Sequence, residues 1–200
     1  MITIKTNKGF TLLEIVFTVA IFSLIVLGIS LFARNVWVYN SFIQNSLITN
    51  DYARETLKKI TKEIRISSTA SNGAYAINQA SSTSFTFFSD VDSDGVKERV
   101  RYYLDNGTLK KGTIEPSGSP LGYTASETTK ILAKGVVNTD IFTYYDRDYD
   151  GTTSALSNPI NIPLIRLVKI TLSIDQDPNK APSATNFSTQ VSLRNLKDNF

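Results

Sequence analysis

The chain has 200 residues, a formal net charge of +3, and neither cysteine nor histidine. The missing residue types exclude disulfide bonds, Cys/His zinc sites and histidine-centred catalytic triads. Residues 66–200 carry 13 basic and 14 acidic side chains, so this part lacks the basic excess that binds phosphates and we expect no nucleic acid partner.

The N-terminal region contains a candidate membrane span at residues 10–33, which would be about 36 Å long as a helix against a hydrocarbon core of about 30 Å. Residues 9–33 contain one charged side chain, that of Glu14. A charge at membrane depth costs about 2.5–3.5 kcal/mol on insertion scales, so Glu14 is predicted to have a function. Lys5 and Lys8 precede the span, which predicts a cytoplasmic N-terminus. A secretory signal peptide is the alternative, but the run is longer than usual and no A-x-A site follows it.

The helix is predicted to continue beyond the membrane, from about residue 11 to about residue 66. Residues 10–72 contain no proline and a single glycine, Gly28. After residue 34 the apolar residues keep helical spacing, which predicts an amphipathic helix. Its apolar positions are Ile43, Leu47, Ala53, Leu57, Ile60 and Ile64, and its solvent face is predicted to carry Arg54, Glu55, Lys58, Lys59, Lys62 and Glu63.

The remainder of the chain changes to a period of two, which is typical of strands. About six mostly antiparallel strands are predicted, at residues 84–89, 99–105, 108–112, 140–145, 167–174 and 188–196. Asn106-Gly107 predicts a type I′ hairpin, and residues 113–135 are predicted to be a loop. The predicted fold class is α+β, with the amphipathic half of one long helix packed on an antiparallel sheet.

Two acidic segments share the pattern D-x-D-x-D-G, one with Asp90, Asp92 and Asp94 and the other with Asp146, Asp148 and Asp150. Alternate carboxylates at this spacing can converge on one hard cation such as Ca²⁺. The glutamate that completes an EF-hand at its twelfth position is absent, and Glu98 is near the first segment but out of register. Turns whose aspartates accept hydrogen bonds from their own backbone are the alternative.

The segment KGFTLLE, residues 8–14, followed by an apolar helix, resembles the class III signal of type IV pilins and type II secretion pseudopilins. The resemblance implies a prepilin peptidase that cuts between Gly9 and Phe10 and N-methylates Phe10. Glu14 would then neutralise the new amine of Phe10, in the same subunit or in a neighbouring one. Such pairing would fix the axial register of subunits in a filament and would make the carboxylate tolerable in lipid.

Residues 90–111, 140–151 and 189–196 resemble the J-type minor pseudopilins and PilW-type minor pilins. The implied organisation is a prepilin leader (1–9), a transmembrane and assembly half-helix (10–33), an amphipathic half-helix (34–66) and an extracytoplasmic β-rich domain (67–200).

The resemblance implies a minor structural subunit of a type II secretion or type IV pilus filament, at or near its tip. Its partners would be the peptidase, the membrane and other pilin subunits. Before assembly it would be a single-pass protein of the cytoplasmic membrane.

Two alternatives have different functions. One is a DNA-uptake pilin or tip adhesin on the same scaffold, although the slightly acidic body disfavours DNA. The other is a membrane-anchored enzyme, which the acidic loops do not favour because no nucleophile or base accompanies them.

Overall fold

The computed structural model describes residues 9–175 and 183–196. The leader residues Lys5 and Lys8 lie outside this range. The chain divides into two compact units, Met1–Asn45 and Ser46–Phe200. Helix α1, Leu12–Arg65, runs through the boundary between them, as the unbroken helical pattern predicted.

The described part of the first unit is the apolar portion of α1. Leu12–Asn40 is long and apolar enough to cross a membrane, with a mean hydropathy of 2.8 and none of its residues buried within the protein. The exposed apolar surface of these described residues is suited to contact with lipid or with other apolar helices. A signal sequence would pass the same test of length and composition.

The second unit contains two antiparallel sheets. The first has the order β1-β2-β3-β4-β5 and the second has the order β6-β7-β8. The strands are β1 (Ile77–Ala80), β2 (Ser84–Ser89), β3 (Glu98–Asp105), β4 (Thr108–Ile114), β5 (Thr128–Lys134), β6 (Phe142–Tyr145), β7 (Leu167–Ile174) and β8 (Thr185–Ser192).

One hydrophobic core joins the C-terminal part of α1 to both sheets. The helix contributes Ala53, Leu57, Ile60 and Ile64, at successive spacings of four, three and four residues. This spacing places them on one face of the helix, as predicted. The sheets contribute large side chains, among them Phe85, Phe87, Tyr102, Tyr144, Ile170 and Leu172. The α+β prediction of one long helix packed on antiparallel sheet is confirmed.

The strand predictions were right at residues 84–89 and 167–174 and need correction at several other places. Strand β7 has the predicted bounds and buries alternate residues. The prediction of a loop over residues 113–135 is wrong, because β4 extends to Ile114 and Thr128–Lys134 forms β5. Strand β5 lies at the edge of its sheet and exposes five of its seven residues, so its sequence lacks the alternation of a half-buried strand.

Three further strand predictions need correction. Strand β1 was missed, because its four residues are too few to show a period. Strand β6 begins at Phe142 rather than at residue 140. Strand β8 begins and ends earlier than predicted, at Thr185–Ser192, and a short 3₁₀ turn follows at Arg194–Leu196.

The amphipathic pattern of α1 was misread at three positions. Glu63, predicted to lie on the solvent face, is only 6% exposed. Ile43 and Leu47, predicted to continue the apolar face, are 52% and 59% exposed. Glu63 is buried because its carboxylate has partners on the sheet: the Tyr102 hydroxyl at 2.5 Å and the Lys111 ammonium at 2.7 Å.

Candidate functional site

The predicted cleavage site lies in an exposed, non-helical segment ahead of α1. Gly9 and Phe10 both precede the helix, and the Phe10 side chain is 78% exposed. A Cβ atom placed on Gly9 would meet nothing within 4 Å in the described part of the chain. The fold itself therefore leaves room for a side chain at Gly9.

The first turn of α1 contains a capping interaction that the sequence analysis missed. Thr11 immediately precedes the helix, and its hydroxyl accepts a hydrogen bond from the backbone N–H of Glu14 at 3.3 Å. Threonine at the N-cap with glutamate three residues later is the spacing of a capping box. The letters TLLE, residues 11–14, contain this signal.

Glu14 is thus placed in the first turn of the helix, where a carboxylate interacts favourably with the helix dipole. Phe10 lies outside the helix, so the two residues are not one regular helical turn apart in the uncleaved chain. Pairing between the Phe10 amine and Glu14 would need either an extension of the helix after cleavage or a neighbouring subunit.

The first acidic loop brings four carboxylates together. One carboxylate oxygen from each of Asp90, Asp92, Asp94 and Glu98 lies within 4.8 Å of the others. The three aspartates also shape the loop, since Asp90 accepts hydrogen bonds from the N–H groups of Ser93 at 2.7 Å and Gly95 at 3.1 Å.

The pKa values of Asp90, within the loop, and of Glu115, outside it, are shifted in opposite directions. Burial would raise the pKa of Asp90, but hydrogen bonds from Ser93 and Gly95, together with the Lys97 ammonium at 3.5 Å, lower the pKa. At Glu115, burial and the negative charges of Asp92 and Asp94 raise the pKa. Among the described residues, Lys97 forms an ion pair with one of the four carboxylates, so negative charge predominates around this loop.

Glu98 differs from the aspartates because it is fully buried. It lies at the start of β3 on the same face as Val100 and Tyr102, since residues two apart along a strand share a face. Its Oε2 accepts the Val91 N–H at 2.7 Å, whereas its buried Oε1 has no hydrogen-bond partner among the described residues. Burial raises the pKa of Glu98.

The second acidic loop is organised as a set of turns. Asp150 Oδ1 accepts hydrogen bonds from the N–H and hydroxyl groups of both Thr152 and Thr153, at 2.7 to 2.9 Å. These bonds, beginning with the Thr152 N–H, hold the pKa of Asp150 well below its usual range. Across residues 9–175 and 183–196, the first loop supplies the one convergent acidic group. The structure does not bring Asp146, Asp148 and Asp150 together as a ligand set.

The family model described as the prokaryotic N-terminal methylation motif matches residues 4–30, which include the segment 8–14 and the start of α1. This match supports the resemblance to type IV pilins and pseudopilins that residues 8–14 predicted. The motif favours the structural role that the resemblance implied over a membrane-anchored enzyme.

A solved structure with a related arrangement is the GspK-GspI-GspJ complex from the type 2 secretion system of enterotoxigenic Escherichia coli. The matched chain is 13% identical, the alignment covers 73% of the present chain and 97% of the matched one, and the TM-score is 0.45. The search of curated proteins found no match.

Proposed function

We propose that this chain is a pilin-like protein, a minor subunit of a type II secretion or type IV pilus filament that is located at or near the filament tip. The observation that carries the proposal is the match to the N-terminal methylation motif over residues 4–30, directly at the start of an apolar helix whose described residues 12–40 are all exposed.

A prepilin peptidase would cut between Gly9 and Phe10 and methylate the new amine of Phe10. Support comes from the exposed, non-helical backbone at these two residues, because a protease needs an extended chain that its active site can enclose. Cleavage would also remove Lys5 and Lys8, and so leave an apolar end that can slide within a bundle of helices.

Assembly would use the exposed apolar part of α1, packed against the same helix of other pilin subunits. A buried carboxylate is costly unless it is paired, so a subunit would favour the axial position at which Glu14 meets an amine of Phe10. Because Phe10 lies outside the helix that contains Glu14, an amine from a neighbouring subunit is a suitable partner.

The proposed membrane topology is based on the apolar part of α1 and the two lysines that precede it. The pilin-like protein would cross the cytoplasmic membrane once, with residues 1–9 in the cytoplasm and the β-rich domain from residue 67 outside. The described residues form eight strands in two sheets, which supports a position as a minor subunit, because the resemblance implies a simpler four-stranded sheet for a major pilin.

The test is the chemical state and the contacts of the protein in its native membranes. Mass spectrometry should find a mature chain that begins with N-methylated Phe10, and deletion of the prepilin peptidase should restore the full-length form. A photo-crosslinker placed in the apolar helix should capture other pilin-like proteins. An unprocessed chain that crosslinks to no pilin-like protein would contradict the proposal.

A further inference from the structure

We propose that Asp90, Asp92, Asp94 and Glu98 bind one Ca²⁺ ion, and that the buried carboxylate of Glu98 anchors the site. This proposal concerns the globular unit and does not depend on filament assembly.

The distances suit a single cation. Ca²⁺ takes oxygen ligands at about 2.3–2.6 Å, so two ligand oxygens on opposite sides of the ion are about 5 Å apart. The four carboxylates each present an oxygen within 4.8 Å of the other three. Mg²⁺ holds its ligands at about 2.0–2.1 Å in a strict octahedron, which is a poorer fit to a flexible set of four carboxylates.

The buried carboxylate of Glu98 provides a second observation in favour of a bound ion, independent of the aspartates in the loop. It is 0% exposed, and its Oε1 has no hydrogen-bond partner in the described part of the chain. A buried polar atom without a partner costs about 1–3 kcal/mol, and a charged one costs more. An ion held between Glu98 and the aspartates would supply the missing partner.

The three aspartates retain coordinating capacity after their turn hydrogen bonds are made. Asp92 Oδ1 accepts the Asp94 N–H at 3.2 Å, and Asp94 Oδ1 accepts the Val96 N–H at 2.7 Å. Each of these bonds uses one oxygen of a carboxylate that has two. Asp90 engages both of its oxygens, one with the Ser93 N–H and the other with the Gly95 N–H and the Lys97 ammonium. Every carboxylate oxygen has more than one lone pair, so Asp90 also retains coordinating capacity. The N–H bonds orient the carboxylates, and their remaining lone pairs can face the ion.

The end of the loop is held by contacts outside it. The Lys97 N–H donates to the Ser71 hydroxyl at 2.8 Å, and the Lys97 carbonyl accepts the Tyr123 hydroxyl at 2.6 Å. Glu98 is then fixed by pairing with Ser89 across the sheet. This support keeps Glu98 in place while the loop before it adjusts to the ion.

Lys97 is the natural competitor for the site. Its ammonium lies 3.5 Å from Asp90 Oδ2 and is partly exposed. A cation that coordinates Asp90 would displace the ammonium or share the carboxylate with it. Replacement of Lys97 by methionine should therefore strengthen Ca²⁺ binding, because it removes a competing positive charge.

The experiment uses the full-length protein in detergent, treated with chelator and titrated with CaCl₂ by calorimetry and by thermal melting. The parent should bind one Ca²⁺ per chain, and Ca²⁺ should raise its melting temperature. Glu98→Gln and Asp92→Asn should each weaken binding by about tenfold or more, since affinity depends on the number of charged ligands. The matched control is Asp148→Asn in the second loop, which should bind as the parent does.

If Glu98 had a purely structural role, Glu98→Gln would lower the melting temperature equally with and without Ca²⁺. The proposal predicts a different result. Without Ca²⁺, Glu98→Gln should melt no lower than the parent, because it removes an unpartnered buried charge and keeps an acceptor for the Val91 N–H. With Ca²⁺, the parent should rise above the variant. The proposal is overturned by an unchanged melt of the parent in Ca²⁺, by an equal loss of melting temperature in the variant under both conditions, by equal affinity for MgCl₂, or by loss of binding in Asp148→Asn.

Discussion

Gly9 can be tested without disturbing the fold, because a Cβ at this position would meet no described atom within 4 Å. A valine side chain should instead obstruct the peptidase, which must enclose the chain at the scissile bond. We predict that Gly9→Val accumulates as the full-length precursor, whereas the parent is recovered with Phe10 as its first residue. N-terminal sequencing of the membrane fraction measures this directly.

The matched control for that variant is Gly28→Val, within the apolar part of α1. A Cβ on Gly28 also meets nothing within 4 Å in the described chain, so this change adds the same atoms away from the cleavage site. It should be processed normally. Recovery of Gly9→Val with Phe10 at its N-terminus would show that the glycine is not a processing determinant.

Glu14 combines a charge with a place in a capping box, and the two can be separated. Glutamine is also accepted at this position of a capping box, so Glu14→Gln keeps the helix start while it removes the charge. We predict that the variant inserts and is cleaved after Gly9, because a neutral amide is cheaper in lipid and the scissile bond lies upstream. Filament assembly should fail or weaken, because the Phe10 amine loses its charged partner.

The measurement compares the amount of mature Glu14→Gln protein in the membrane with the amount in filaments. Mature Glu14→Gln protein should be present in the membrane and depleted from filaments and from crosslinked complexes with other pilin-like proteins. Assembly at the level of the parent would mean that the charge does not set the register of the subunits.

Within the second unit, helix α1 is joined to the first sheet by a buried polar contact as well as by the apolar core. The Glu63 carboxylate binds the Lys111 ammonium at 2.7 Å and accepts the Tyr102 hydroxyl at 2.5 Å. The side chains of Glu63 and Lys111 are 8% and 9% exposed. Burial and the nearby Glu63 charge raise the pKa of Tyr102, so Tyr102 remains a neutral donor.

Removal of the Lys111 ammonium from this contact should destabilise the folded protein. We predict that Lys111→Met lowers the free energy of unfolding by about 3–5 kcal/mol, because it leaves the Glu63 charge buried without its cation. The double variant Lys111→Met/Glu63→Gln should recover most of the loss, since the charge is gone and the amide oxygen still accepts the Tyr102 hydroxyl. Urea denaturation of the full-length protein measures both values. A double variant that is less stable than Lys111→Met would contradict this account.

At the scale of the whole molecule, the absence of cysteine allows the membrane topology to be mapped with single introduced thiols. Ser154 is exposed in the second unit, so Ser154→Cys should accept a bulky label. We predict that a membrane-impermeant maleimide labels Ser154→Cys in cells whose outer envelope admits the reagent. Lys5→Cys should be labelled only after the cytoplasmic membrane is opened.

The variant Lys5→Cys also provides an internal control for cleavage. Because Lys5 precedes the proposed cleavage site, its label should be absent from the mature chain and present on the precursor of Gly9→Val. Labelling of Lys5→Cys in unopened cells, with protection of Ser154→Cys, would reverse the proposed orientation.

Local patterns in the sequence determined much of this protein. Helix α1 follows from a long run with one glycine and no proline, and β7 from strict alternation. Asn106 and Gly107 have φ values of +47° and +69°, as the type I′ turn predicted from these two residues requires. The methylation motif lies within one continuous segment of the chain. Each of these features depends on neighbours along the chain, so the sequence carries its full signal.

Tertiary structure decided the features that depend on distant partners. Glu63 occurs among lysines on a charged stretch, yet it is buried because Tyr102 and Lys111 meet it from the sheet. Glu98 was out of register with the D-x-D-x-D-G pattern, and the turn before β3 brings its carboxylate to the aspartates. Strand β5 exists because β4 offers an edge to pair with. A residue's own sequence neighbourhood does not encode such contacts, because burial and pairing depend on which distant segments the fold places beside it.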